Sequence, residues 1–171
     1  MILGKYQFCR NRQERGYSIT AIVQNEDGNL FFVKWIKGIE QNSQAGKILF
    51  DKLRNIKKAQ HKSLAKIVEY DWDTSENAYC IVFEYIDAKT LENEFRNLKP
   101  AHFIKGIENA VSCLKELQQN HRITHGDLNP ANILVDENFD FYLIDFGIAD
   151  ICTTLSQEQE LEIFAKDFAA P

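Results

Sequence analysis

The chain has 171 residues, 44% of them hydrophobic, with a net charge of −5; that is enough apolar content to bury a core, and the length suits one domain. No stretch approaches the ~18 consecutive apolar residues a membrane helix needs, and the N-terminus lacks the sustained apolar run of a secretory signal, so a soluble, cytoplasmic protein without a membrane partner is expected. Cys9, Cys80, Cys113 and Cys152 show no C-x-x-C spacing and the four histidines no metal-ligand spacing, which argues against a zinc site and for free thiols in a reducing compartment.

In chain order, alternating apolar residues predict strands near 5–10, 18–24, 30–36, 67–72 and 78–85. Asn25-Glu26-Asp27-Gly28-Asn29 reads as a hairpin turn between the second and third. Residues 43–59 carry Ile48, Leu49, Leu53 and Ile56 at helical spacing, so one amphipathic helix is expected against an antiparallel sheet. Residues 90–97 suggest a short helix, and 101–120 a long one opened by Pro100, with Phe103, Ile104, Ile107, Val111, Leu114 and Leu117 on one stripe. A hairpin of 133–136 and 141–145 comes next, turning at Glu137-Asn138-Phe139. The resulting expectation is an α+β protein in two parts, residues 1–86 around a five-stranded sheet and residues 87–171 mainly helical.

The chemistry is concentrated in His125-Gly126-Asp127-Leu128-Asn129-Pro130-Ala131-Asn132 and, beyond the hairpin, Asp145-Phe146-Gly147. Asp127 and Asn132 lie five apart, and Asp127 and Asp145 eighteen apart. Singly, Asp and Asn are ordinary turn residues. Jointly, an HxDxxxxN segment and a DFG in this order on a strand-turn-strand frame can bring three oxygen-bearing groups to one metal-phosphate site.

These motifs resemble those of the protein kinase-like superfamily, and the resemblance runs along nearly the whole chain. It implies the kinase two-lobed fold and ATP- and Mg2+-dependent transfer of a phosphoryl group to a hydroxyl acceptor. Asp127 would accept the hydroxyl proton, and Asn132 and Asp145 would hold Mg2+, which needs only one or two carboxylates. Phe31-Phe32-Val33-Lys34 resembles the strand whose lysine contacts the α- and β-phosphates, making Lys34 both a catalytic and a nucleotide-binding candidate. Ala78-Tyr79-Cys80-Ile81-Val82-Phe83-Glu84-Tyr85-Ile86 resembles the strand entering the hinge, where backbone groups of Glu84 and Ile86 would meet adenine with Phe83 behind it. His125 would pack beneath the catalytic loop and orient it. Phe168-Ala169-Ala170-Pro171 resembles the end of an activation segment.

Four departures decide the branch. Gly126 stands where many regulated kinases carry the arginine that reads an activation-loop phosphate, so Thr153, Thr154 and Ser156 are poor activating phosphosites. Asn129 occupies the place of a lysine that contacts the γ-phosphate in Ser/Thr kinases, and its loss should lower the rate unless another basic group substitutes. Of the glycine-rich phosphate loop only Gly16 remains, with Arg10, Arg12 and Arg15 before it; these offer guanidinium groups to phosphate or form a solvated basic hairpin. The helix of residues 43–59 contains no glutamate to partner Lys34, which leaves Asp51 within it or Glu40 before it.

A His-Gly-Asp loop also occurs in aminoglycoside and choline kinase-like phosphotransferases, RIO-type kinases and lipopolysaccharide sugar kinases. The Ala-Ala-Pro ending favours a protein acceptor over a small molecule, and a non-catalytic pseudokinase stays open. Residues 1–70 carry a charge of +7 and residues 71–171 one of −12, a split that would draw nucleotide phosphates and magnesium to different lobes or that is simply a solvated surface. Basic residues without interleaved aromatics predict no nucleic-acid partner. Because the resemblance covers about two thirds of a catalytic domain, the remaining C-lobe or a second chain is expected to complete the fold.

Overall fold

The computed structural model describes residues 3–146. The expected activation-segment residues and their phosphosites, Gly147 and Cys152 lie outside the described residues. Two units emerge, one of the described residues up to Leu53 with Lys66–Ile86, the other of Arg54–Ala65 with the described residues from Asp87 onward.

The first unit is built on an antiparallel sheet ordered β1-β2-β3-β5-β4, with β1 Gln7–Arg15, β2 Ser18–Gln24, β3 Leu30–Ile36, β4 Ile67–Asp73 and β5 Ala78–Glu84. Period-two alternation gives each strand two faces. Tyr6, Ile19, Val23, Val33, Trp35, Cys80 and Val82 form one buried cluster. Trp35, fully buried, donates from Nε1 to the buried carboxylate of Asp73 at 2.9 Å. Burial alone would push the Asp73 pKa up, but hydrogen bonds from Ser75 and Trp35 outweigh it and hold it below the ordinary carboxylate value.

On the other face stands α1, Gln44–Lys58. Ser43 caps it by accepting from the Gly46 N–H at 3.1 Å. Phe50 meets Tyr70 and Tyr79 edge-on, with ring centroids 5.1 and 5.5 Å away. A Cβ at Gly46 would lie 2.0 Å from the Tyr79 hydroxyl, so only glycine admits this approach. Leu49, Leu53 and Ile56 are buried as the periodicity predicts, whereas Ile48 is exposed.

In the second unit the short β6, Ala88–Thr90, pairs with β7, Ile133–Asp136, and β7 with β8, Phe141–Leu143. Three residues are too few to show a period, and β6 was not expected. Backbone bonds from Leu143 to Ser63 (2.8 Å) and from Ala65 to Leu143 (3.1 Å) bring residues 63–65 alongside β8. The short helix α2 covers Leu91–Glu94 and a 3₁₀ turn continues it through Asn97.

Helix α3, Pro100–His121, buries Gly106, Ala110, Cys113 and Leu117. The expected stripe is therefore corrected by about one residue, since Ile104 and Val111 are 57% and 56% exposed. Gly106 explains the shift: a Cβ there would sit 2.5 Å from the ring of Phe141, so the helix seats a residue without a side chain on β8. A hydrophobicity pattern counts glycine as nothing and misses such a seam.

Candidate functional site

Arg122, in the left-handed region at φ 53°, ends α3, and the chain enters the His125–Asn132 loop. Asn129 is extended (φ −147°, ψ 166°) and precedes a 3₁₀ turn, Pro130–Asn132. Its side-chain oxygen accepts from the Ala131 N–H at 2.9 Å, and its backbone carbonyl from the Asn132 N–H at 3.0 Å. Pro130 sits at the first position of the turn, where a missing N–H costs nothing.

This turn brings two side-chain amides onto Asp127. Asn129 Nδ2 donates to Oδ1 at 3.0 Å and Asn132 Nδ2 to Oδ2 at 2.9 Å, and the same two nitrogens reach the Asp127 carbonyl at 3.3 and 2.8 Å. Each carboxylate oxygen thus has a neutral donor. With Nδ2 of Asn132 turned to Asp127, its Oδ1 is the outward acceptor. The Asn132 carbonyl accepts from the Ile144 N–H at 3.1 Å, which ties the loop to the residue before Asp145. Asp145 itself adopts φ 65°, a conformation that Asp tolerates better than most residues.

His125 lies beneath this loop, 5% exposed, with Nδ1 accepting from the Asp127 N–H at 3.3 Å and its ring 4.5 Å from that of Phe146. Burial holds its pKa below the ordinary histidine value, against the opposing pull of Asp145 and Asp127. The Ile144 carbonyl also favours protonation, but Nε2 makes no hydrogen bond of normal geometry. With Nδ1 acting as acceptor, the neutral ring carries its proton on Nε2.

A pocket of about 610 Å³ opens beside Asp127, lined by Leu91, Phe95 and Phe103 together with Asp127, Asn129 and Asn132. Its polar lining is amide and carboxylate. The oxygens of Asn132 and Asp145 are hard donors that suit magnesium in kind. Among the described residues no group of three or more His, Cys, Asp or Glu forms a cage of protein ligands.

In the first unit Lys34 pairs with Thr20 of β2 and Ile81 of β5. Two residues away on the same face, Phe32 lies across from Phe83, ring centroids 6.2 Å apart. The Glu84 N–H is taken by the Lys66 carbonyl at 3.0 Å, so a base could meet this residue's backbone only through its carbonyl. Ile86 closes the unit. Asp51 lies exposed on α1, and Glu40 uses its backbone carbonyl to accept from Ser43 Oγ at 2.7 Å.

Gly16, at φ 55°, is the first of two residues linking β1 to β2, the place where such hairpins need a positive φ. The arginines lie on an exposed hairpin strand, the second of the two expectations for them: β1 runs past the expected end at residue 10 to Arg15, with two register shifts. Arg12 is not offered to a phosphate. Glu76 holds its guanidinium through two bonds of 2.8 and 3.0 Å, and it stacks 5.8 Å above Trp35. The role of Asn129 as a donor to Asp127 was missed by the sequence reading, which saw only an absent cation. The signal was present in the Asn-Pro pair, a turn-initiating dipeptide whose asparagine caps the succeeding turn.

Residues 16–171 match the family described as protein kinase domain. The chain is 26% identical over 147 residues to a probable receptor-like serine/threonine-protein kinase of Arabidopsis thaliana, an alignment covering 81% of this chain and 33% of that protein. It is 34% identical over 92 residues to the serine/threonine-protein kinase PrkC of Bacillus subtilis (strain 168), covering 52% of this chain and 14% of the relative. The chain thus spans a third or less of the length of these relatives. Among solved structures, the kinase domain of maize sucrose-induced receptor kinase 1 bound to AMP-PNP superposes with a TM-score of 0.67 at 20% identity, over 82% of this chain and 51% of that one. The fold expected from the sequence is thereby shown, and the chain belongs to the protein kinase domain family.

Proposed function

We propose that the protein is an ATP- and magnesium-dependent kinase that transfers the γ-phosphoryl group to a Ser or Thr hydroxyl of a protein acceptor. The observation that carries the reading is the two-sided amide clamp on Asp127, linked through the Asn132 carbonyl to the residue before Asp145. Asp127 would accept the hydroxyl proton, with the acceptor entering from the adjacent pocket. Asn132 Oδ1 and Asp145 would hold magnesium, which when bound neutralises charge on the transferring phosphoryl group. Lys34 would contact the nucleotide phosphates, the Gly16 turn would lie over them, and the Glu84 carbonyl and Ile86 would meet the base. The relatives named as serine/threonine-protein kinases support a protein acceptor. Free thiols at Cys9, Cys80 and Cys113 fit a reducing, cytoplasmic setting.

The test is transfer of labelled phosphate from ATP to a mixed protein acceptor by wild type and Asp127→Ala. Loss of a positioned general base should lower turnover roughly 10²–10⁴-fold with nucleotide affinity changed by less than about twofold. Equal loss of turnover and binding would remove Asp127 from the role of base.

A further inference from the structure

We propose that Asn129 is a positioning residue that orients the Asp127 carboxylate and couples it to Asn132; the proposal rests on Asp127 being the base. A carboxylate turns easily about its terminal torsion. Asn132 alone would hold one oxygen, whereas Nδ2 of Asn129 at 3.0 Å from Oδ1 holds the other and so sets the plane of the group. The same side chain caps the turn that carries Asn132, through Oδ1 and the Ala131 N–H. Capping by itself does not require asparagine, since Asp and Ser cap equally well. What asparagine adds is an amide nitrogen with two donors beside the capping oxygen. One side chain thereby fixes both the base and the amide that offers its oxygen to a cation, and it does so without the positive charge of a lysine.

Two substitutions separate the clamp from the cap. Asn129→Asp keeps the capping oxygen, removes the donor and sets a second carboxylate against Asp127. Asn129→Lys restores a donor and removes the capping oxygen. Positioning predicts that Asn129→Asp lowers kcat by up to about 100-fold, the cost of a displaced reacting group, with the KM for ATP within about twofold and Tm near wild type. Asn129→Lys should keep more of kcat than Asn129→Asp although its Tm falls. A purely structural cap predicts the reverse order, with Asn129→Asp close to wild type in kcat, and that result would overturn the proposal.

A second readout does not depend on turnover. By NMR at constant pH, the side-chain NH2 signals of both Asn129 and Asn132 should shift when the Asp127 carboxylate is removed in Asp127→Ala. An Asn129 signal that ignores that carboxyl would also overturn the proposal. Shifts of both signals in a protein that transfers no phosphate would leave the clamp intact and remove the kinase reading instead.

Discussion

Asp127 carries a negative charge in a half-buried place, and two uncharged amides hold it there. Hydrogen bonds to ionised groups contribute about 1.5–3 kcal/mol each, roughly twice a neutral one, so both oxygens are anchored without a salt bridge. His125 supports the loop from below in its neutral form, and this has a pH consequence. Its folded pKa lies below its unfolded one. Its stabilising contribution is therefore fully present above the unfolded value near about 6.5, and is lost as the pH falls through that value toward the folded one, because the unfolded chain then binds the extra proton. The expected outcome is that the difference in unfolding free energy between wild type and His125→Asn shrinks as the pH is lowered from 8 to 5 (the range about an unperturbed histidine pKa of ~6.5); a pH-independent difference would contradict a neutral buried ring. The identities and spacing of these residues could be read directly from the chain. The donor set on Asp127 could not, because it depends on a 3₁₀ turn that directs two amides back at one carboxylate.

Among the elements, β2, β3 and α1 were legible to within a residue or so at their ends because each is rich in apolar residues that the fold buries, Ile19 and Val23, Val33 and Trp35, and Leu49 and Leu53 among them. β1 was not, since every one of its residues is exposed and its register shifts twice. An edge strand without a buried face carries no alternation to read. Helix α3 was found at its full length, but the residue that seats it is Gly106. Gly106→Ala would drive a methyl group into Phe141, itself 1% exposed and unable to swing aside. Helix propensity favours Ala by about 1 kcal/mol, yet overpacking a tight contact costs typically 1–3 kcal/mol. A net destabilisation of up to about 2 kcal/mol is therefore expected, read as a lower denaturant midpoint at unchanged m-value; a gain in stability would show that the helix can slide over β8.

At the scale of the whole molecule, the proposed nucleotide site predicts a coupling of ligand to folding. At about 100 times the dissociation constant, a ligand that binds only the folded state stabilises by ~2.7 kcal/mol, which for a chain of this length is a rise in Tm on the order of 5–10 °C. ATP should give that rise with magnesium and less without it. No rise in either condition would mean that this chain alone forms no nucleotide site. The sequence by itself determined the family, because the spacing of Asp127, Asn132 and Asp145 arises from chemistry confined to one short hairpin, where separation along the chain and separation in space nearly coincide. It also determined most of the first sheet, whose strands lie on either side of tight turns. Only the tertiary structure decided that residues 54–65 belong with the second unit, through the bonds of Ser63 and Ala65 to Leu143, and that Arg12 serves Glu76 and Trp35 instead of a phosphate. Those contacts join residues far apart in the chain, and local periodicity holds no record of which distant group will satisfy a backbone donor or a charge.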